Sequence, residues 1–303
     1  MYYRGNENES FNKMSDLLSR KGIHNNQFMN VVHNGDLTNP EVWKTDEEKK
    51  EAIAVECTQN LWYFLKYIAR VPGNQDEDQK YMLNEANMEM LYALSCRYSV
   101  WVTSPRQSLV ETTIIFWLIY RIFLNPINDH LTVRIISKNR HSAEYFKHRI
   151  KLILTLLPKY IIGYEVEPIM SRFNICPCNS LITAMKLKSD SADLIDVFLD
   201  AEFIPYVNEI YVDSHRSIFT STISDDADVN GALDIIKYQS IPFVKEIYDD
   251  VCLKNREDFT FPLIYIQKQF CELGYTFDEW IDRCESLNWD EDIIRRELLL
   301  RRK

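Results

Sequence analysis

Between Ser99 and Thr222 the chain alternates short apolar runs with longer helix-like stretches, and that alternation restricts the possible folds more than any other feature. Ser99 to Thr103 (SVWVT) reads as a strand, followed by a turn at Ser104 to Ser108 and an apolar helix from Thr112. Leu131 to Ser137 (LTVRIIS) is a second strand, and the helix from Arg140 to Leu157 after it is closed by Pro158. Asn179 to Leu187, Leu194 to Leu199 (LIDVFL) and Ser217 to Thr222 (SIFTST) read as further strands. Strand and helix in turn predict an α/β fold with a parallel sheet covered on both faces. Ligands of such sheets bind at the carboxyl ends of the strands. Three segments fall there: Ser104 to Thr113, Leu199 to Pro205, and Ser221 to Asp226.

The flanks differ from this middle. Residues 1–51 are polar and Asn-rich and read as an arm partly ordered against the body. From Ala52 to Arg70, Val55, Leu61, Phe64, Leu65 and Ile68 recur at helical spacing until Val71-Pro72-Gly73 ends the run. Another helix is expected over Asn84 to Ser95, and the part of the body from about residue 228 to Lys303 reads as helical. With 46% hydrophobic residues and only 7 Gly in 303, the body at 52–303 can bury a large core with few long flexible loops.

Several function classes are disfavoured. A net charge of −10 argues against a surface built to neutralise nucleic-acid phosphates. Basic strips remain at Arg134, Lys138, Arg140, Lys147, Arg149 and Lys151, and at Arg295, Arg296, Arg301, Arg302 and Lys303, where solvated helix faces explain them. The 7 Cys are irregularly spaced and make no disulfide framework, and the Cys176-Pro177-Cys178 pair lacks the partners of a zinc site, so no metal is expected there. The most apolar stretch, Thr112 to Leu124, contains Arg121 and is shorter than the roughly 20 residues of a membrane span, so a buried helix is expected. His24, His33, His130, His141, His148 and His215 sit in no nucleophile or metal motif. Asp225, Asp226 and Asp228 read as the acidic first turn of a helix.

A strand, a tight turn and an apolar helix make the frame of a phosphate-binding loop, in which backbone N–H groups and a helix N-terminus face an anion. The string Pro105-Arg106-Gln107-Ser108-Leu109-Val110-Glu111-Thr112-Thr113 resembles the Walker A segment, P/S-R-Q-x-G-K-T-T, of the tailed-phage large terminases, motors that pack DNA into capsids. Further strings extend the resemblance in the same order. Asn60-Leu61-Trp62-Tyr63-Phe64 with Ala69-Arg70-Val71-Pro72 is similar to the family's N-x-W-Y … R-x-P lead-in, and Leu83-Asn84 to Asn87 to the stretch before its first core strand. Val197 to Pro205 (VFLDAEFIP) looks like the Walker B strand, which ends D-E-x-x-F-I-P. Ser221-Thr222 falls at the coupling motif, and Arg295-Arg296-Glu297-Leu298-Leu299-Leu300 resembles the R-R-E-x-L-L run that closes the ATPase domain.

The departures from that pattern bear on activity. Aligning the Pro-Arg-Gln strings puts Leu109 where the family has Gly, Val110 where it has Lys, and Glu111 where it has Thr or Ser. Leu crowds the loop and disfavours a positive φ, Val brings no charge to the phosphates, and Glu replaces a Mg²⁺-binding hydroxyl with a carboxylate. Like unit charges about 4 Å apart repel by roughly 4 kcal/mol at an effective dielectric near 20. At the Walker B string, the Phe203-Ile204-Pro205 register puts Leu199 at the Mg²⁺-ligating Asp and Asp200 at the catalytic Glu; a one-residue slip puts Asp200 on the metal and leaves Glu202 as a base. Arg106 matches the arginine at the start of the family's loop. Hydrogen bonding within the turn explains Arg106 and Gln107 equally well, and an ion pair explains Glu202.

The resemblance therefore implies a P-loop NTPase-like fold with ATP and Mg²⁺ as ligands, a nucleotide loop from Pro105 to Thr112, a catalytic set of Arg106, Asp200 and Glu202, and a coupling pair Ser221 and Thr222. The replaced residues imply weakened ATP binding and lost or impaired hydrolysis. On this reading the protein acts through contacts with active terminase subunits, a portal or a capsid, in the cytoplasm of an infected bacterial host. A full large terminase also carries an RNase H-like nuclease domain, which this sequence does not reach, so no DNA cleavage is expected of it. Two alternatives stand beside this reading: an active packaging ATPase domain of a split or truncated terminase, and a nucleic-acid-binding regulator using the Arg134 to Lys151 helix.

Overall fold

In the computed structural model, which describes residues 8–33, 35–38, 40, 46–73, 78–105, 108–125, 131–163, 166–177, 194–204, 216–222, 234–249, 263–268, 289–294 and 300, the strands expected at 99–103, 131–137, 194–199 and 217–222 all form, within one residue at each end. In chain order the principal elements are α1 (Glu9–Arg20), α2 (Glu47–Gln59), α3 (Leu61–Tyr63), β1 (Arg70–Pro72), β2 (Asp78–Lys80), α4 (Glu85–Ser95) and β3 (Ser99–Thr103). They continue with α5 (Val110–Ile119), β4 (Thr132–Ser137), α6 (Arg140–Leu156), α7 (Lys159–Ile162), α8 (Val166–Met170), β5 (Phe173–Pro177), β6 (Leu194–Phe198), β7 (Ser217–Ser221), β8 (Ile241–Pro242) and β9 (Leu263–Gln267). The strand expected at Asn179 to Leu187 lies outside the described residues, as does most of the Arg295 to Leu300 string.

Seven described strands pair in the order β5-β4-β6-β7-β3-β9-β8, every pair parallel. Two-residue alternation sends the side chains to opposite faces. Val100, Val102, Val133, Ile135, Val197, Ile218, Ile264 and Ile266 enter one core with Leu91 of α4, Ile114 and Phe116 of α5 and Phe146 of α6. Trp101, Ile136, Phe198, Phe219 and Leu263 enter a second core on the other face with Ala201, Ile204 and Ile236. Because β7 lies between β3 and β6, the carboxyl ends of these three strands stand side by side.

Of three expectations, the first and third need correction and the second gains detail. The single helix read over Ala52 to Arg70 is broken at Asn60, whose backbone is extended (φ −133°, ψ 96°). Its side chain accepts from Tyr63 N at 3.0 Å and donates to Val31 O at 2.7 Å and to Glu56 Oε1 at 2.9 Å. A side chain that caps its own backbone competes with helix continuation, which apolar spacing cannot reveal. Second, the stretch read as a polar arm partly ordered against the body docks on it through α1. Phe11 and Leu18 of α1 are buried, Asn8 Nδ2 donates to Tyr81 O at 2.7 Å, and the Ser10 hydroxyl accepts from Leu83 N at 2.9 Å. Third, the C-terminal part is not wholly helical. Residues 234–239 are helical, but β9 pairs along the whole of β3, Ser99 to Leu263 through Thr103 to Gln267. A strand covered on both faces reads as a continuous apolar run, which periodicity cannot tell from a piece of helix.

Thr112 to Leu124 is a buried helix, as expected. It widens to i→i+5 bonding over Tyr120–Leu124, where Asn125 N reaches Tyr120 O. Among the described residues no helix is long and apolar enough to cross a membrane.

Candidate nucleotide site

β3 delivers the chain to Ser104 and Pro105, and α5 starts at Val110. Arg106 and Gln107 lie outside the described residues. The loop is held from below by polar side chains of α4 and its cap. Asn84 and Asn87 both donate to Ser108 O, at 2.8 and 3.0 Å. In a planar trans peptide the C=O and the next N–H point in opposite directions, so the Leu109 N–H is turned away from α4. Ser104 and Ser108 share a hydroxyl bond at 2.8 Å, and Tyr81 OH bonds Thr113 Oγ1, which donates in turn to Leu109 O.

Leu109 sits at φ 64°, ψ 12°. This is left-handed backbone that glycine adopts freely and that costs an L side chain about 1–2 kcal/mol. The loop therefore keeps a glycine conformation at the position where the aligned motif has Gly. Leu109→Gly is expected to raise stability by about 0.5–1 kcal/mol, the relief of left-handed strain less glycine's larger chain entropy, as read by urea denaturation. A loss of stability would show that the half-buried Leu109 side chain matters more than its φ.

The next two positions do not fit a magnesium nucleotide. Val110 is buried in the core. Glu111 is engaged by Arg149 of α6, with Nη1 2.6 Å from its Oε2, and Arg149 Nη2 donates to Thr112 Oγ1 at 2.7 Å. The repulsion expected from Glu111 is thus offset by a guanidinium, a correction to the simple charge argument. The hydroxyl beside it is likewise occupied. Backbone N–H groups of the first turn of α5 remain as anion donors, but no Lys or Mg²⁺-binding hydroxyl accompanies them among the described residues.

The end of β6 supplies an acid. Leu199 is buried in the main core and its N–H bonds Ile136 O at 2.9 Å, so it offers no metal ligand. Asp200 has left-handed backbone (φ 49°) and donates its N–H to Thr220 Oγ1 at 3.2 Å. Glu202 is fully buried; its Oε1 accepts from Thr222 Oγ1 at 2.6 Å, while Oε2 has no hydrogen-bond partner. Burial, and next the charge of Asp200, push its carboxyl up to about 7. The expected ion-pair role of Glu202 is therefore replaced by a hydroxyl contact.

Ser221 and Thr222, expected as a coupling pair, join these parts. Ser221 Oγ accepts from Trp101 Nε1 at 2.6 Å and bonds Thr103 Oγ1 at 3.0 Å, and Ser221 O accepts from Ser104 N at 3.2 Å. Its neighbour Thr222 reaches Glu202. Ser221 and Thr222 thus link the root of the β3–α5 loop to the buried acid. Sequence reading missed Arg149, Asn84, Asn87 and Tyr81 as builders of the site. Arg149 stands 38 residues from Glu111, and no local spacing marks such a pair.

The basic strip of the α6 region is largely matched from within. Arg134 is buried and bidentate to Asp196, at 2.6 and 2.5 Å, in the register that sets β4 beside β6. Arg140 pairs with Glu144, Lys151 with Glu167, and Lys147 donates to Phe173 O. At the end of β9 Lys268 lies 3.0 Å from Glu85 and 2.8 Å from Glu89, and Lys21 of α1 also pairs with Glu85. Among the described residues no group of three or more His, Cys, Asp or Glu could hold a metal. Cys178, Asp225, Asp226 and Asp228 lie outside them.

A seven-stranded parallel sheet flanked by helices, with β7 between β3 and β6, is an α/β fold of the P-loop NTPase-like kind. No protein-family model matches the sequence, and no curated protein matches it. Among solved structures the chain is similar to a single-substitution mutant of the large terminase ATPase domain of Thermus phage P74-26, at 12% identity and a TM-score of 0.49, over 74% of this chain and 95% of that one. It is also similar to the ATPase domain in a second structure, at 12% identity and a TM-score of 0.44, over 73% and 94%.

Proposed function

We propose that this chain is a terminase-like ATPase-fold protein of viral DNA packaging in which ATP binding and turnover are lost or severely reduced, acting through contacts with other proteins of the machinery. The ordered resemblance of its motifs supports the packaging role. The loop supports the loss: Leu109 keeps a glycine conformation, yet Val110 is folded into the core and Glu111 is tied to Arg149. A cradle of this shape without the Lys of the aligned motif has little hold on a triphosphate, and no catalytic step through ATP or Mg²⁺ is derived for it.

Titration calorimetry with ATP and Mg²⁺ tests this. No binding in the micromolar range is expected, and the triple variant Leu109→Gly, Val110→Lys, Glu111→Thr is expected to gain on the order of a hundredfold in affinity. Micromolar affinity in the unaltered protein, with hydrolysis that fails in Arg106→Ala, would overturn the proposal. That result would favour an active packaging ATPase, the reading to which the buried, unneutralised Glu202 lends support as a general base.

A further inference from the structure

Two acids of α4 share one lysine beside the root of the β3–α5 loop. Glu85 and Glu89 stand one turn apart, so their side chains leave α4 on the same face, and both are buried. Lys268, the residue after β9, places Nζ 3.0 Å from Glu85 Oε1 and 2.8 Å from Glu89 Oε1. Lys21, which follows α1, pairs with Glu85 as well. Among the described residues Glu89 pairs with Lys268 alone, and its Oε2 is buried without a hydrogen-bond partner. The loop is anchored twice at this place. The β3–β9 register pairs Thr103 with Gln267, and Lys268 N donates to Thr103 O at 3.3 Å. Asn84, next to Glu85, holds Ser108 O at 2.8 Å.

Ionised together, the two acids would set two negative charges against the one ammonium enclosed with them, because Lys21 is half exposed. Their settings differ, so the proton goes to one of them. Burial raises the Glu85 carboxyl, but the bonds from Lys21 and Lys268 outweigh it and hold the group below its ordinary value. Burial pushes Glu89 up to about 7; Lys268 offsets this only in part, and the charge of Glu85 adds to it. Burial acts to lower Lys268, but Glu89 and Glu85 raise it, so the ammonium stays charged. The other elements against this face bring a phenol rather than a charge. Tyr92, one turn beyond Glu89, donates its hydroxyl to the carbonyl of Tyr248 at 2.8 Å, and burial first, then the charges of Glu89 and Glu85, keep the Tyr248 phenol neutral. Glu111 of α5 is turned instead to Arg149.

We propose that Glu85, Glu89 and Lys268 form a proton-held clasp on the loop: it is closed while Glu89 carries a proton, and ionisation of Glu89 drives α4 and the end of β9 apart, releasing both anchors of the loop. An opened state that wets Glu89 returns its carboxyl to the ordinary value of 4.5, while the closed state holds the proton up to about 7. The closed state binds the proton more tightly, so opening is favoured increasingly as pH rises from about 4.5 through about 7. The clasp acts on the carbonyls of Thr103 and Ser108, and so operates whether or not ATP binds the loop.

Amide hydrogen exchange of the full chain at pH 5 and pH 8, each beside Glu89→Gln at the same pH, provides the test. Gln has the shape of the protonated acid and cannot ionise, so the variant keeps the clasp closed. Relative to it, the unaltered protein is expected to lose on the order of fiftyfold in protection at the amides of Lys268 and Met88 between the two pH values. Small additions of urea separate local from global opening: exchange at Lys268 and Met88 is expected to ignore them, whereas exchange in β4 follows them. Carbon-13 titration of the Glu89 carboxyl in the unaltered protein reads the proton directly and decides the matter even if the variant folds poorly; a midpoint near 7 is expected. Three results would overturn the clasp: the same pH response in both proteins, exchange at Lys268 and Met88 that shares the urea dependence of β4, or a Glu89 midpoint near 4.5.

Discussion

Replacing Arg134 by Met is expected to destabilise the fold by about 3–5 kcal/mol, because it strips the partner from a carboxylate that water cannot reach. Asp196 has a side chain only 1% exposed and sits opposite Arg134 across the β4–β6 ladder, in the core face that also holds Ile136 and Phe198. The pair Arg134→Met with Asp196→Leu removes both charges together and is expected to recover most of the loss, since a buried ion pair often does little better than apolar residues of similar volume. Urea denaturation of the two single variants and the double gives the coupling directly. Additive losses would mean the ion pair does not hold the two strands. The outcome also separates structural cations from surface ones, because Arg134 is the first member of the basic strip once considered for nucleic acid.

A second large effect is expected at Glu202. Its folded pKa, near 7, lies above the ordinary carboxylate value of 4.5, so the native protein holds this proton over a window where the unfolded chain has released it. The sign follows: the contribution of Glu202 to stability is full below about pH 4.5 and is lost as pH rises through about 7. Glu202→Gln keeps an acceptor for Thr222 and removes the buried charge. At pH 8 it is expected to be more stable than the parent by about 3 kcal/mol, with near equality at pH 4.5. Denaturant unfolding of both proteins across that range checks it. An unchanged pH slope in the variant would show that the carboxyl titrates normally. Glu89, pushed up to about 7 by burial despite Lys268, leaves a slope of the same sign in both proteins, so it is the difference between them that reports Glu202.

The strands from Ser99 to Ser221 were legible because their apolar runs are bounded by turns and separated by helices of the right length. The position of the site at the ends of β3, β6 and β7 followed from that parallel arrangement. What could not be read was anything decided by partners distant in sequence. Nothing local announces that Arg149 will close on Glu111, that Asn84 and Asn87 will share one carbonyl, or that β9 will flank β3. Val110 is a similar case: its type removes a charge from the loop, but only the packed helix shows its side chain folded into the core. Asn60 failed for the opposite reason, since one amide side chain outweighed an apolar periodicity that ran correctly on both sides of it.

The hydrogen bonds of the first helix reach further than its own docking. Asn8 and Ser10 grip Tyr81 and Leu83; one residue later Asn84 grips the carbonyl of Ser108. A displacement of α1 would arrive at the loop's backbone after a single short relay, and the Ser108–Leu109 peptide would turn with it.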